Sequence, residues 1–177
     1  LDANISYRLI VGENVDYLPA EFRWLSDQAD TLMFQTENLL TIEKGAFANQ
    51  ESPIKDLEGN IYIDDQGVFY LCDEEENTAK VVYCQSGFND IFIPAVICPD
   101  SQGEYQVVAV GKDAFKNADG VQTLRFEKPE QIVTIEAYGF ADCTTLCSIN
   151  GVTEVDDVKT LFGGVVDGIG YRAFYHT

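Results

Sequence analysis

One pattern constrains this chain more than any other: an aliphatic residue, three variable residues, a small residue, then Phe. It occurs as IEKGAF from Ile42 to Phe47, VGKDAF from Val110 to Phe115, IEAYGF from Ile135 to Phe140 and IGYRAF from Ile169 to Phe174. A degenerate version, VDYLPAEF, ends at Phe22. Self-similarity of this kind marks a repeat architecture and takes precedence over element-by-element assignment.

The residues between the copies repeat too. Thr31, Leu32 and Phe34 match Thr123, Leu124 and Phe126, while Leu39 and Ile42 match Ile132 and Ile135. In a Leu-x-Phe strand the two large side chains share one face and the middle residue points the other way. A unit of some 25 residues cannot bury its own apolar face, so stacked units must share one continuous core. Phe then fills that core at each turn, and the preceding Ala or Gly gives clearance to the neighbouring backbone.

The spacing is irregular. Val110 and Ile135 are 25 positions apart, Ile135 and Ile169 are 34, and Ile42 and Val110 are 68. The second interval predicts an insertion near residues 151–168, with Gly163, Gly164 and Gly168 as turn residues. The third predicts something other than regular repeats. A further copy is expected from Ile54 to Gly59. Strands over 67–71 and 79–84 then flank the acidic stretch Asp73 to Asn77 as a hairpin. Strands at Asp90–Ile93 and Tyr105–Val110, joined through a turn at Ser101, Gln102 and Gly103, lead back into the array. The alternating NISYRLIV at Asn4–Val11 predicts a strand covering the first unit, and Asn4-Ile5-Ser6 has the form of a glycosylation sequon. The expected fold is a short, irregular β-rich leucine-rich-repeat solenoid with an inserted antiparallel β-hairpin module and little helix. Three segments follow: 1–60 with degenerate repeats, 61–109 with the hairpins, and 110–177 with the best repeats, together forming one continuous unit.

Composition narrows function. Asp plus Glu is 30 against 11 for Lys plus Arg, a net charge of −19. Such a surface repels phosphate backbones and argues against a nucleic-acid partner. No apolar run is long enough to span a bilayer. The five cysteines are an odd number, so they are not a complete disulfide framework; a pair among Cys72, Cys84 and Cys98 is one possibility, whereas Cys143 and Cys147 read as small core residues.

The unit Ile135 to Ile149, with Phe140, Cys143 and Leu146 in place, resembles the BspA-like leucine-rich repeats of bacterial and some protozoan surface and secreted proteins. The resemblance is clear from about Gly67 onward and looser from Val15 to Phe47. It implies a secreted or cell-surface protein that adheres to a host or matrix protein. A signal peptide removed from the mature chain fits the absence of an initial Met.

Catalytic and metal chemistry find little purchase. The single histidine, His176, is one residue from the end, and no Walker glycine loop or zinc spacing is present. The expected protein is therefore non-enzymatic, without cofactor or metal, and works by contact across a β-lined repeat face. The outward strand positions are the candidate binding residues: Met33, Gln35, Arg125, Glu127, Ser148 and Asn150. Two alternatives remain open. A carbohydrate-binding module would use exposed aromatics such as Tyr138 or Tyr171, and a glycoside hydrolase would need two carboxylates facing across a cleft. Oligomeric state is left open.

Overall fold

The computed structural model describes residues 5–51, 53–85, 87–99, 103–163 and 169–177. Asn4 of the sequon, Ser101, Gln102, Gly164 and Gly168 lie outside that set. The chain winds as a β-solenoid of about five turns. The first turn holds β1 (Arg8–Val11) and β2 (Tyr17–Leu18), followed by a 3-10 turn at Ala20–Phe22 and a one-turn helix α1 (Arg23–Ser26). The second holds β3 (Thr31–Phe34) and β4 (Leu40–Ile42). Three hairpin strands follow: β5 (Gly59–Ile63), β6 (Val68–Asp73) and β7 (Thr78–Cys84). The third turn holds β8 (Asp90–Ile93), β9 (Val96–Ile97) and β10 (Tyr105–Val110), and the fourth β11 (Thr123–Phe126) and β12 (Thr134–Ile135). The last holds β13 (Ser148–Ile149) and a seven-residue helix α2 (Val155–Leu161).

These strands form two walls. The back wall is one sheet in the order β12-β10-β7-β6-β5-β4-β2, with β9 antiparallel to β10. Its ends are parallel, as stacked turns demand, and its middle is the antiparallel hairpin module. The front wall is split into a β1-β3 pair and a β13-β11-β8 sheet, both parallel. The expected extra repeat at Ile54–Gly59 does not form. Ile54–Asp56 is a 3-10 turn, and the chain then reverses into β5, which pairs antiparallel with β4.

The inward pattern follows the Leu-x-Phe reading. Leu124 and Phe126 are buried while Arg125 between them is exposed. Every turn then uses its Phe differently according to stacking. Phe115 lies flat against Phe140, 5.3 Å between centroids, and Phe140 against Phe174 at 5.0 Å. Phe47 instead takes edge contacts from Phe22 and Phe34 in a separate N-terminal core. Hairpin residues serve both cores, Phe69 packing toward Phe47 and Tyr70 toward Phe115.

The turns around these Phe residues are themselves paired. Amides of Asp113, Phe115 and Asn117 donate to carbonyls of Ala137, Gly139 and Ala141, and amides of Tyr138, Phe140 and Asp142 donate to Tyr171, Ala173 and Tyr175. Asp113, Tyr138 and Arg172, each just before the small residue, sit at positive φ of 58°, 58° and 52°, as Gly45 does at 89°. Side chains pay a modest cost there, which this ladder of bonds offsets. The small residue is needed as expected: Ala114 and Ala173 are buried, and a Cβ on Gly139 would lie 3.3 Å from the Glu136 carbonyl oxygen and from Val110.

The insertion before the last copy contains α2, which the spacing did not reveal. Asp156 and Asp157 occupy its first turn, where carboxylates suit the positive end of the helix. Val158 and, just beyond, Phe162 are buried, with Phe162 edge-on to Phe126 at 5.2 Å.

Candidate binding face

The outward side of the β8-β11-β13 sheet is a shallow groove of about 510 Å³ or less in scale, 490 Å³ in volume, lined by Gln66, Asp90, Phe92, Thr123, Arg125 and Ser148, with Asn150 at its margin. Register builds it. Thr123 pairs with Asp90 on one side and Ser148 on the other, and Arg125 pairs with Phe92. The Arg125 guanidinium lies over the Phe92 ring, 4.9 Å from its centroid. The Thr123 hydroxyl donates to the Asp90 carboxylate.

Side-chain amides close the groove's two lateral edges. The Asn150 carbonyl accepts from the Phe126 amide and its NH₂ donates to the Phe126 carbonyl, both at 2.8 Å. At the opposite edge Gln66 does the same to Phe92, again at 2.8 Å both ways. Each amide thus imitates one residue of a missing strand and satisfies backbone groups that an open edge would leave unpaired.

The structure brings Arg125, Ser148 and Asn150 together. Glu127 lies past the end of β11 and accepts a hydrogen bond from the Ala95 amide at 2.8 Å. Met33 and Gln35 belong to the other front-wall piece, and Gln35 lines a separate cleft of 520 Å³ with Glu37, Asp64 and Asp65. Asp90, Phe92, Thr123 and Gln66 were not among the sequence candidates. Aligning Asp90-x-Phe92 with Thr123-x-Arg125 reveals the first three, whereas Gln66 comes from the hairpin module and carries no repeat signal. Between the two front-wall pieces, Gln85 donates to the Leu32 carbonyl at 2.9 Å, beside a cleft of 510 Å³ lined by Asp30, Glu51 and Lys116 among others.

The other chemistries can be placed as well. Asp64 in the acidic cleft accepts bonds from the Gln66 and Val68 amides and the Tyr70 hydroxyl. Burial raises its pKa against the pull of those bonds. Its oxygens are occupied by its own turn, which suits a fold-holding role. Among the described residues no three His, Cys, Asp or Glu side chains are grouped to hold a metal ion. Tyr138 and Tyr171 meet edge to face, 84° between planes, and so do not form one flat platform for a sugar ring.

All five cysteines are free, so no pair forms among Cys72, Cys84 and Cys98. Cys143 is buried, as its repeat position implies, but Cys147 is exposed. Burial pushes the thiols of Cys72, Cys84 and Cys143 up to about 12, and the Cys143 thiol donates to the Phe115 carbonyl at 2.8 Å. The thiolate is the reactive form. Maleimide labelling at neutral pH, read by mass, is therefore expected to modify Cys98 and Cys147 in the native chain and all five cysteines in denaturant. Rapid native labelling of Cys143 would contradict its placement.

No family model matches the chain, and no curated protein does. Among solved structures, the chain is similar to a leucine rich cell surface protein from Faecalibacterium prausnitzii A2-165, at 23% identity and TM-score 0.48, over 66% of this chain and 28% of that one. It is also similar to a leucine-rich repeat protein from Bacteroides capillosus ATCC 29799, at 20% identity and TM-score 0.43, over 49% of this chain and 62% of that one. The chain thus spans less than two thirds of either protein's length.

Proposed function

We propose that this chain is a non-enzymatic, secreted or cell-surface repeat protein that binds a host or matrix protein through the β8-β11-β13 groove. The observation that carries the reading is the groove itself: a rigid parallel sheet presents Arg125 on Phe92 beside Thr123 and Ser148, with both lateral edges closed by side-chain amides. Closed edges favour recognition through side chains over strand addition. The resemblance of the repeat to BspA-like surface proteins supports the extracellular setting, and the charge of −19 disfavours nucleic acid.

The test is binding to a panel of purified extracellular-matrix and host surface proteins, comparing the wild type with Thr123→Trp, which fills the groove, and Gln106→Trp, at an exposed back-wall position. Thr123→Trp is expected to weaken binding by about tenfold or more, as loss of a central contact does, while Gln106→Trp binds as wild type. No binding by the wild type, or equal binding by both variants, overturns the reading.

A further inference from the structure

The groove carries a charge pattern as well as a shape. Among the described residues lining it, Arg125 is the one cation and Asp90 the one anion. They sit on adjacent strands and on successive outward rows, since Asp90 faces Thr123 and Arg125 faces Phe92. Strand spacing and rise place their backbones roughly 8 Å apart on the diagonal.

Arg125 is unusual for this chain. Lys80, Lys116 and Lys159 each have a carboxylate partner, at 2.8, 3.6 and 2.9 Å. The Arg125 guanidinium has the Phe92 ring and, among the described residues, no hydrogen bond or ion pair, in a chain with 30 acidic residues. The ring offers no lone pair, so the guanidinium's N–H donors remain available to a carboxylate in fork geometry. Asp90 accepts from Thr123, yet a carboxylate has capacity for more donors.

An extended peptide places residues i and i+2 on one face, roughly 7 Å apart. Side-chain reach covers the remaining ångström to the Asp90–Arg125 diagonal. A run of acids would meet the repulsion of a −19 chain, whereas an acid with a base close by would not. We infer that the groove reads an extended peptide segment in which an acidic and a basic residue stand two positions apart, the acid on Arg125 and the base on Asp90. The inference rests on the reading of this groove as a protein-binding face, and names what that face recognises.

The probe is a peptide of repeating Glu-Thr-Lys-Thr, twelve or more residues long, measured by surface plasmon resonance on the immobilised full chain. A block peptide of the same composition, with its glutamates and lysines in separate halves, is expected to bind about tenfold more weakly. Arg125→Glu is expected to lose the repeating peptide by about tenfold or more, the scale of one charge-assisted pair. The double variant Asp90→Lys, Arg125→Glu is expected to regain most of that loss, because the swapped grid accepts the same peptide run in reverse. Recovery on swapping would not arise from a merely structural role. Equal binding of the block peptide, no loss in Arg125→Glu, or no recovery in the double variant overturns the inference. So does an Arg125-dependent binding of polygalacturonate without binding of the peptide, which would make the ligand a carboxylated glycan. If Thr123→Trp abolishes binding to a panel protein while Arg125→Glu leaves it intact, the charge pattern falls and the groove stands. If neither variant changes it, both fall.

Discussion

Replacing Phe140 by alanine is expected to destabilise the chain by about 3–5 kcal/mol. Phe140 is fully buried, at 0% exposure, and is the middle ring of the Phe115–Phe140–Phe174 stack. Phe126 and Phe162 close on it from the side, at 6.4 and 6.5 Å. Its removal would leave a cavity bounded by four aromatic rings and by backbone pinned in the turn ladder, so little collapse can refill the space. A lower denaturant midpoint with an unchanged slope is the expected signature. Tyr171→Ala, at a 64% exposed ring one turn away, should stay within about 0.5 kcal/mol and serves as the control. A Phe140→Ala effect as small as that would contradict the shared core.

The second large effect concerns a residue that looks dispensable. Gly170 lacks the positive φ that excuses many glycines, but a Cβ there would collide with the Ala137 amide and the Glu136 carbonyl carbon. Its own amide donates to the Ile135 carbonyl at 2.5 Å, so the last turn is held against the fourth at this point. Backbone cannot step aside as a side-chain end can. Gly170→Ala is expected to cost about 1–3 kcal/mol and to lift the last turn away. Hydrogen exchange reads the result locally. Amides of Tyr138, Phe140 and Asp142, which donate into the last turn, should exchange roughly 5- to 150-fold faster, while that of Phe115, which donates to Gly139, keeps its protection. Unchanged protection at Phe140 would mean that the contact at Gly170 is not made.

Most of the scaffold was legible because a repeat states its own register. Leu124 and Phe126 could be assigned inward and Arg125 outward from two letters' spacing, and Phe115 and Phe140 assigned to the core from their recurrence. The hairpin tip between β6 and β7 was legible for another reason, its run of acids between β-prone segments. What stayed hidden had no copy to compare with. The stretch from Ile54 shares an aliphatic start with the repeats, but the antiparallel pairing of β5 with β4 is decided by tertiary contacts. In α2 the apolar set Val155, Val158 and Phe162 spans barely two turns, too short for periodicity to stand out among neighbouring strands. Of the candidate face, the outward residues of β11 and β13 were readable. Its closure by Gln66 was not, because a glutamine replacing a strand from 26 positions away leaves no local mark. Asn150 looked like an outward position and spends its amide on the Phe126 backbone.

The turn ladder also has a mechanical meaning. Its bonds run along the solenoid axis, from the amides of one turn to the carbonyls of the next. Tension applied along that axis pulls on these bonds lengthwise and opens one turn before loading the next, as a zip does. Each turn of 25 residues, such as Val110 to Ile135, would release about 85 Å of extended chain when it parts. A tether built this way lengthens in steps under load, and the groove on the front wall lies across three of those steps.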